Sequence, residues 1–517
     1  MIAAILNILS IPRLRGRATA KLRRLAAFTG AAVSIAGSAV AAPLPPNHVD
    51  DFAGHPRLVV LSDIGNEPDD QMSFVRLMLY SNEIDLEGLV ATTSTWQRTA
   101  THAETMRAIE EAFGQVRPNL LRNAKGWPTA AALRAITKTG QTGYGMAATG
   151  EGKTSEGARQ LIVAADRDDP RPLWVSIWCG ANTLAQALIE VRATRTPAEV
   201  AKFVAKLRVY SISDQDDAGA WIRKEFPALF YIVSPSSENS DDYGAATWSG
   251  ISGDVYYHNG AGADSSLVTN DWLDANIRKG PLGKFYPRYA YIMEGDTPSY
   301  LGLIDNGLAS WRNPSWGGWG GCYIYRVPAS GTQPIWTQGN APVGNTTSQD
   351  EVTGIDGRKY ISDQATIWRW REAYQHDFAA RMDWTIKPYK QANHNPIVVV
   401  NGKAGTEPLV IDAAVNRPVT LDASGTSDPD GQKLTYRWFH YAEAGTGTGA
   451  GAAVVEIAGA DGPKAVVTPI AACRTAWIPE ATRCPALSVA HIILAVTDTG
   501  TPSLTSYRRV IVNVTSK

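Results

Sequence analysis

The chain has 517 residues, 44% of them apolar and 19% charged, with a formal net charge of −1. That is long enough for more than one domain and apolar enough for a large core, which excludes an intrinsically disordered chain. A balance this close to neutral offers no basic face to a phosphate backbone, so nucleic acid is excluded as a partner.

In chain order, the first feature is a targeting segment. Arg13, Arg15, Arg17, Lys21, Arg23 and Arg24 precede an apolar, small-residue run from Leu25 to Val40. The run ends in Ser38-Ala39-Val40-Ala41-Ala42, the pattern of a cleavable export signal. It is too short, and too rich in Ala and Gly, for a lasting membrane anchor. The expectation is a signal peptide over residues 1–42 and an exported protein, periplasmic or extracellular, with no stable membrane insertion after cleavage.

The next stretch, Arg57–Met72, reads RLVVLSDIGNEPDDQM. An apolar run, Leu58–Leu61, ends at Ser62-Asp63, and a polar turn leads into helical spacing. Glu67 is the N-cap, Pro68 takes the first helical position, and Asp69 and Asp70 fall in the first turn. Asp63, Glu67, Asp69 and Asp70 thus crowd four carboxylates into eight residues. One or two acids suffice to complement the positive end of a helix. Four held this close repel one another, and a hard cation bound through oxygen relieves the repulsion.

From about residue 55 to 300, strand-like and helical runs alternate. Leu86–Thr93, Leu173–Trp178, Arg208–Ser213, Leu229–Val233 and Tyr289–Met293 read as strands after Leu58–Leu61. Thr101–Phe113, Ser155–Ala165, Asn182–Val191 and Ala198–Leu207 read as helices. The alternation predicts a parallel sheet with helices on both faces, and ligands at the carboxyl ends of its strands. Polar clusters fall at those ends: Asp63, Ser94-Thr95-Trp96, Trp178–Asn182, Asp214–Asp217 and Glu294-Gly295-Asp296. Residues 300–390 are rich in Trp and Gly. There Trp316 and Trp319 either floor a sugar site or pack a Gly-rich loop, and Ile367–Met382 is helical.

At about Ala392 helical periodicity stops. Short runs of Val, Ile, Leu and Thr between Gly, Pro, Asn and Asp clusters predict an all-β sandwich. Asp422–Gly431 (DASGTSDPDG) followed by Leu434–Trp438 (LTYRW) resembles the polycystic-kidney-disease-type and cadherin-like immunoglobulin-fold modules of secreted proteins. Asp428 and Asp430 read as a hydrogen-bonded turn, with calcium binding as the alternative. In an exported chain Cys473 and Cys484 are placed to pair. The expected domains are 43–391 and 392–517.

With these residues on the page, Arg57–Met72 resembles the opening signature of nucleoside hydrolases. The spaced form Asp63-Ile64-Gly65-Asn66-Glu67-Pro68-Asp69-Asp70 is more similar to a secreted bacterial family of cellulose-binding proteins with a nucleoside-hydrolase-like domain. Glu294–Leu303 (EGDTPSYLGL), Gly317–Gly321 and Ile367–Trp384 fit the same pattern, and that family carries a C-terminal β-sandwich. The resemblance implies an α/β nucleoside-hydrolase-like domain followed by an immunoglobulin-like sandwich, and one bound Ca2+. It implies Asp63, Asp70, Asp296 and the main-chain carbonyl of Trp178 as the metal ligands. Asp63 would also take the proton of the attacking water, and Asp69 would hold sugar hydroxyls. Asn66, Glu67, Asn182, Asp216 and Trp319 complete the expected substrate contacts, and Glu294 or Glu67 is the expected acid. The sequence departs from the hydrolase pattern in four ways. The Asn expected at the end of the second strand is missing from Thr92-Thr93-Ser94-Thr95. Two residues are inserted before the Asp pair, adding Glu67. Gly295 stands where a His often precedes the late Asp. The Glu–Phe–Asn sugar clamp is replaced by Asp214–Asp217.

The leading expectation is a secreted, calcium-dependent hydrolase of an N- or O-glycosyl bond. Its partner is a carbohydrate or nucleoside-like small molecule, or a polysaccharide. The alternatives are a non-catalytic carbohydrate-binding protein on a hydrolase scaffold, and an exported structural protein with a folding calcium site.

Overall fold

The first strand shows why the chain folds in layers. In Arg57–Ser62 (β1) every residue is buried, and alternate side chains enter different cores. Leu58 and Val60 join one hydrophobic cluster and Val59 and Leu61 the other. A strand apolar on both faces belongs in the middle of a parallel sheet covered by helices. The computed structural model describes residues 42–234, 241–328, 331–339, 347–446, 452–472 and 487–515. The expected signal segment, but for Ala42, and the Cys473–Cys484 pair lie outside them.

The strands that follow are β2 (Asp85–Ala91), β3 (Thr137–Thr139), β4 (Leu173–Ile177), β5 (Leu207–Ser211), β6 (Phe230–Val233), β7 (Ile324–Arg326) and β8 (Ile335–Thr337). They form one sheet in the order β3-β2-β1-β4-β5-β6-β8-β7, parallel throughout except for the β7–β8 pair. The helices between them are α1 (Pro68–Met78), α2 (Ala103–Asn123), α3 (Ala130–Ile136), α4 (Glu156–Asp166), α5 (Asn182–Thr194), α6 (Pro197–Lys206) and α7 (Ala218–Glu225). Strand order reverses between β1 and β4, so the crevice beyond their carboxyl ends is the topological switch point where such sheets bind ligands. Leu61 pairs with Val90 on one side and Ile177 on the other, which puts Asp63 and Trp178 at that crevice.

One expected strand is absent. Tyr289–Met293 is irregular chain, and the sheet continues from β6 to β8 instead. Its backbone is satisfied by a side chain rather than by a ladder. The Ser252 hydroxyl donates to the Met293 carbonyl (2.7 Å) and accepts from the Met293 N–H (3.0 Å).

A hairpin of β9 (Asp350–Thr353) and β10 (Lys359–Ser362) precedes the sandwich. The later strands are β11 (Val399–Val400), β12 (Lys403–Ala404), β13 (Leu409–Ala414), β14 (Val419–Asp422), β15 (Leu434–His440), β16 (Val454–Ala458), β17 (Lys464–Ala471), β18 (Leu487–Asp498) and β19 (Thr505–Thr515). β13-β19-β18-β15 face β14-β17-β16 across a separate core, and Trp438 is buried within it. The acidic turn is hydrogen-bonded: Asp428 accepts from the N–H groups of Asp430 and Gln432, both at 2.9 Å.

The α/β layer and the sandwich meet at the Gly-rich run. Arg509 on β19 donates to the carbonyls of Leu308 (2.6 Å), Trp316 (3.0 Å) and Gly317 (2.9 Å). A Cβ on Gly307 would lie 1.9 Å from the Tyr507 carbonyl, so only glycine admits this approach. Cys179 and Cys322 are both free and buried. No helix among the described residues is long and apolar enough to cross a membrane.

The same junction carries a pH dependence. His491 on β18 is buried with Nδ1 2.8 Å from the Arg509 guanidinium. Burial and that cation hold its pKa well below the usual 6.5. Below about pH 6.5 the unfolded chain gains a proton that the folded chain refuses. The stabilisation is therefore present above that value and lost as pH falls toward the depressed folded value. The expected slope reaches about 1.4 kcal/mol per pH unit. Urea midpoints across mildly acidic pH should show it, and His491→Gln, which still accepts from Arg509, should flatten it.

Candidate functional site

The turn after β1 builds the site. Gly65 takes φ +110°, and a Cβ there would lie 2.6 Å from the His102 ring, so the turn requires glycine. The chain then enters α1 with Glu67 as N-cap and Pro68 behind it. Asp69 and Asp70 thereby face the crevice from the positive end of a helix. The Ser62 hydroxyl donates to Asp70 Oδ1 at 2.5 Å, and the Ser94 hydroxyl donates to Asp63 Oδ2. Ser94 is itself oriented by accepting from the N–H groups of Trp96 (3.0 Å) and Gln97 (3.1 Å). From the other side of the cleft, the turn after Met293 delivers Asp296.

Asp69, Asp70 and Asp296 each present a carboxylate oxygen, and these atoms lie within 4.8 Å of one another. Asp63 adjoins them, and its charge adds to the repulsion on all three. Burial raises the pKa of Asp69 to about 7, with the Glu67 and Asp63 charges adding to it. Burial also lifts Asp70 and Asp296 well above the carboxylate range, and mutual repulsion lifts them further. No lysine or arginine lines the cleft among the described residues. Asp296 Oδ2 is buried without a hydrogen-bond partner. An all-oxygen donor set, an orphaned carboxylate oxygen and no protein countercharge together fit a hard divalent cation.

The cleft above these acids has a volume of about 760 Å³. Glu67 and Gln215 border it, and its walls are aromatic: Trp96, Tyr243, Trp248, Tyr256, Tyr257 and Tyr291. Gly295 is part of the fit. A Cβ there would lie 2.9 Å from Asp69 Oδ2 and 3.1 Å from the Trp248 ring, so a histidine at this position would displace both.

Several expected site residues lie elsewhere. Glu294 is wholly buried, 2.6 Å from the Arg76 Nε, and accepts from the hydroxyls of Tyr286 (2.5 Å) and Thr297 (2.9 Å). It has no path to a substrate, which corrects its assignment as acid. Asn182 is a buried node, its side chain bonded to Thr92, Thr93 and the Gly143 carbonyl. Asp216 caps two helices, accepting from the N–H groups of Asn182 (3.1 Å) and Ala218 (2.9 Å). The Trp178 carbonyl accepts from the Gln215 amide at 3.1 Å. Trp319 is 1% exposed, edge-on to Tyr374 in the core, so the packing alternative holds for it. Asn66 is exposed on the turn and hydrogen-bonds Glu67. Glu67, Asp63, Asp69, Asp70 and Asp296 all line the cleft. Of the aromatic walls, Trp96 stands at the predicted rim, and the others belong to no motif in the sequence. Their one signal in the sequence is the tyrosine-rich stretch from Tyr243 to Tyr291, which has no periodicity to place it.

Residues 57–323 match the family model described as cellulose-binding Sde182, nucleoside hydrolase-like domain. Residues 418–514 match that of the C-terminal domain of cellulose-binding protein Sde0182. The chain is similar to a solved nucleoside hydrolase-related protein of Saccharophagus degradans associated with carbohydrate metabolism. Identity is 35% and the TM-score 0.72, over 89% of this chain and 100% of that one. The type III effector XopQ, solved with adenosine diphosphate ribose, overlaps at 12% identity and a TM-score of 0.28, over 55% of this chain and 88% of its own. The PKD domain of the KIAA 1837 protein overlaps at 22% and 0.14, over 21% and 83%. Scores this low bear no argument. No curated protein matches the chain.

Proposed function

The chain belongs to the family of cellulose-binding proteins with a nucleoside hydrolase-like domain, and from that premise we propose an exported carbohydrate-binding protein whose acid-floored cleft holds calcium and cleaves a glycosyl bond. The observation that carries this reading is the trio Asp69, Asp70 and Asp296, with oxygens within 4.8 Å and one of them orphaned. Calcium bound there would acidify a coordinated water and orient sugar hydroxyls. Asp63, with Oδ2 held by Ser94, is positioned to accept a proton from the attacking water through its other oxygen. Glu67 lines the same cleft and replaces Glu294 as the group placed to protonate a leaving oxygen or nitrogen. Side-chain hydroxyls and amides of the walls, Gln215 and Tyr243 among them, orient the sugar.

Calorimetry with calcium tests the metal half. Calcium should stabilise the folded protein by about 2.7 kcal/mol at a free concentration about 100 times Kd. Asp70→Asn should weaken calcium binding by on the order of tenfold or more, because one charged ligand is lost. Unchanged affinity in both Asp70→Asn and Asp296→Asn would remove the site. Incubation of the calcium-loaded protein with nucleosides and cello-oligosaccharides tests the chemistry. Saturable sugar binding without turnover would leave the second reading, a binding protein on a hydrolase scaffold. The burial of Glu294 in its ion pair favours that second reading over a two-carboxylate mechanism using Glu294.

A further inference from the structure

Four aromatic side chains are exposed among the described residues: Trp96 (48%), Tyr256 (48%), Tyr291 (55%) and Tyr389 (39%). Three of the four line the acid-floored cleft. Single exposed aromatics are ordinary, but their concentration in one concavity marks a binding surface. Each of the three is also braced by another ring. Trp96 meets Tyr243 edge-on at 6.5 Å, and Tyr256 meets Tyr291 at 5.7 Å and Tyr257 at 4.9 Å. Bracing fixes the rotamers, so little side-chain freedom is lost when a ligand settles on them. Tyr291 reaches the cleft because Tyr289–Met293 leaves the sheet as irregular chain.

The ring contacts form two groups, one ending in exposed Trp96 and the other in exposed Tyr291. A nucleoside has a single base to stack, one fewer than the two aromatic groups on offer. A chain of linked pyranoses presents a succession of apolar C–H faces, with hydroxyls projecting sideways toward carboxylates. The volume of about 760 Å³ leaves room beside the acids for more than one sugar ring.

Resting on the carbohydrate reading above, we infer that the cleft takes a run of linked sugars, with Trp96 and the Tyr256–Tyr291 pair as stacking platforms for rings flanking the one over the carboxylates. The platforms set the preference for chain length, while the acid floor sets what happens to the ring above it.

Calorimetric titration of the calcium-loaded full-length protein with cellobiose, cellotetraose, cellohexaose and adenosine tests this. Affinity should rise about tenfold from cellobiose to the longer oligosaccharides. Trp96→Ala, and the double variant Tyr256→Ala with Tyr291→Ala, should each lose about five- to tenfold on the longer ligands and little on cellobiose. Trp96→Phe should retain most of the affinity and controls for misfolding. Length-independent binding that ignores all three rings overturns this inference and leaves the carbohydrate reading standing. Adenosine binding tighter than every oligosaccharide, and weakened by the same variants, overturns it in favour of base stacking. A wild type that binds no oligosaccharide overturns both.

Discussion

Asp63→Asn is expected to lower glycosyl-bond cleavage by about 10²–10⁴-fold, the usual contribution of a positioned base, with little change in KM for the same substrate. The amide oxygen can still accept the Ser94 hydroxyl bond, so the side chain keeps its place but can no longer take a proton. The same substitution should not destabilise the calcium-free protein. It removes one of the charges that raise Asp70, Asp69 and Asp296, so the melting temperature in chelator should hold or rise. Initial rates and melting curves on one preparation separate the two effects. A fall in rate matched by a fall in melting temperature would make Asp63 a structural residue.

The legible part of this site is the part written in contiguous sequence. β1, its turn and α1 follow from an apolar run, a glycine, a proline and two acids, because each acts on its immediate neighbours. The polar cluster places Asp296 at the predicted rim, but only the family resemblance pairs it with Asp70, since nothing near it in sequence says that the two face each other. Glu294 shows the limit of such reasoning. It stands in the same polar cluster as Asp296, yet the turn gives it φ +55° and points it into the core toward Arg76. Local composition cannot tell an acid aimed at solvent from one aimed at a distant arginine. Asn182 misleads in the same way, a polar residue at a predicted rim whose side chain bonds inward to Thr92, Thr93 and Gly143. The cleft walls fail for the opposite reason. Tyr243, Tyr256, Tyr257 and Tyr291 lie in short turns and helices whose spacing carries no period, so only their density in sequence marks them.

The buried Arg76–Glu294 pair predicts the largest loss of stability. Arg76→Met should lower the unfolding free energy by about 3–5 kcal/mol, because it leaves the Glu294 carboxylate buried without its cation. Both side chains are fully buried, so solvent cannot substitute for either partner. Burial alone would disfavour the arginine cation, but the Glu294 carboxylate more than offsets it. Glu294→Gln should cost less, since an amide oxygen in place of Oε2 still accepts from Thr297 and Arg76 while the amide nitrogen donates to the Tyr286 hydroxyl. Combining the two substitutions removes both charges and keeps those hydroxyl bonds. The double variant should therefore be more stable than the sum of the single losses, by a coupling of about 1–3 kcal/mol in urea midpoints. Calcium affinity separates positioning from mere stability. The Glu294 carbonyl accepts the Thr297 N–H at 3.2 Å, closing the turn that carries Asp296. If the ion pair sets that turn, Arg76→Met weakens calcium binding in the folded protein and the double variant restores it. If the pair only stabilises the core, all three variants bind calcium like the wild type while differing in their midpoints.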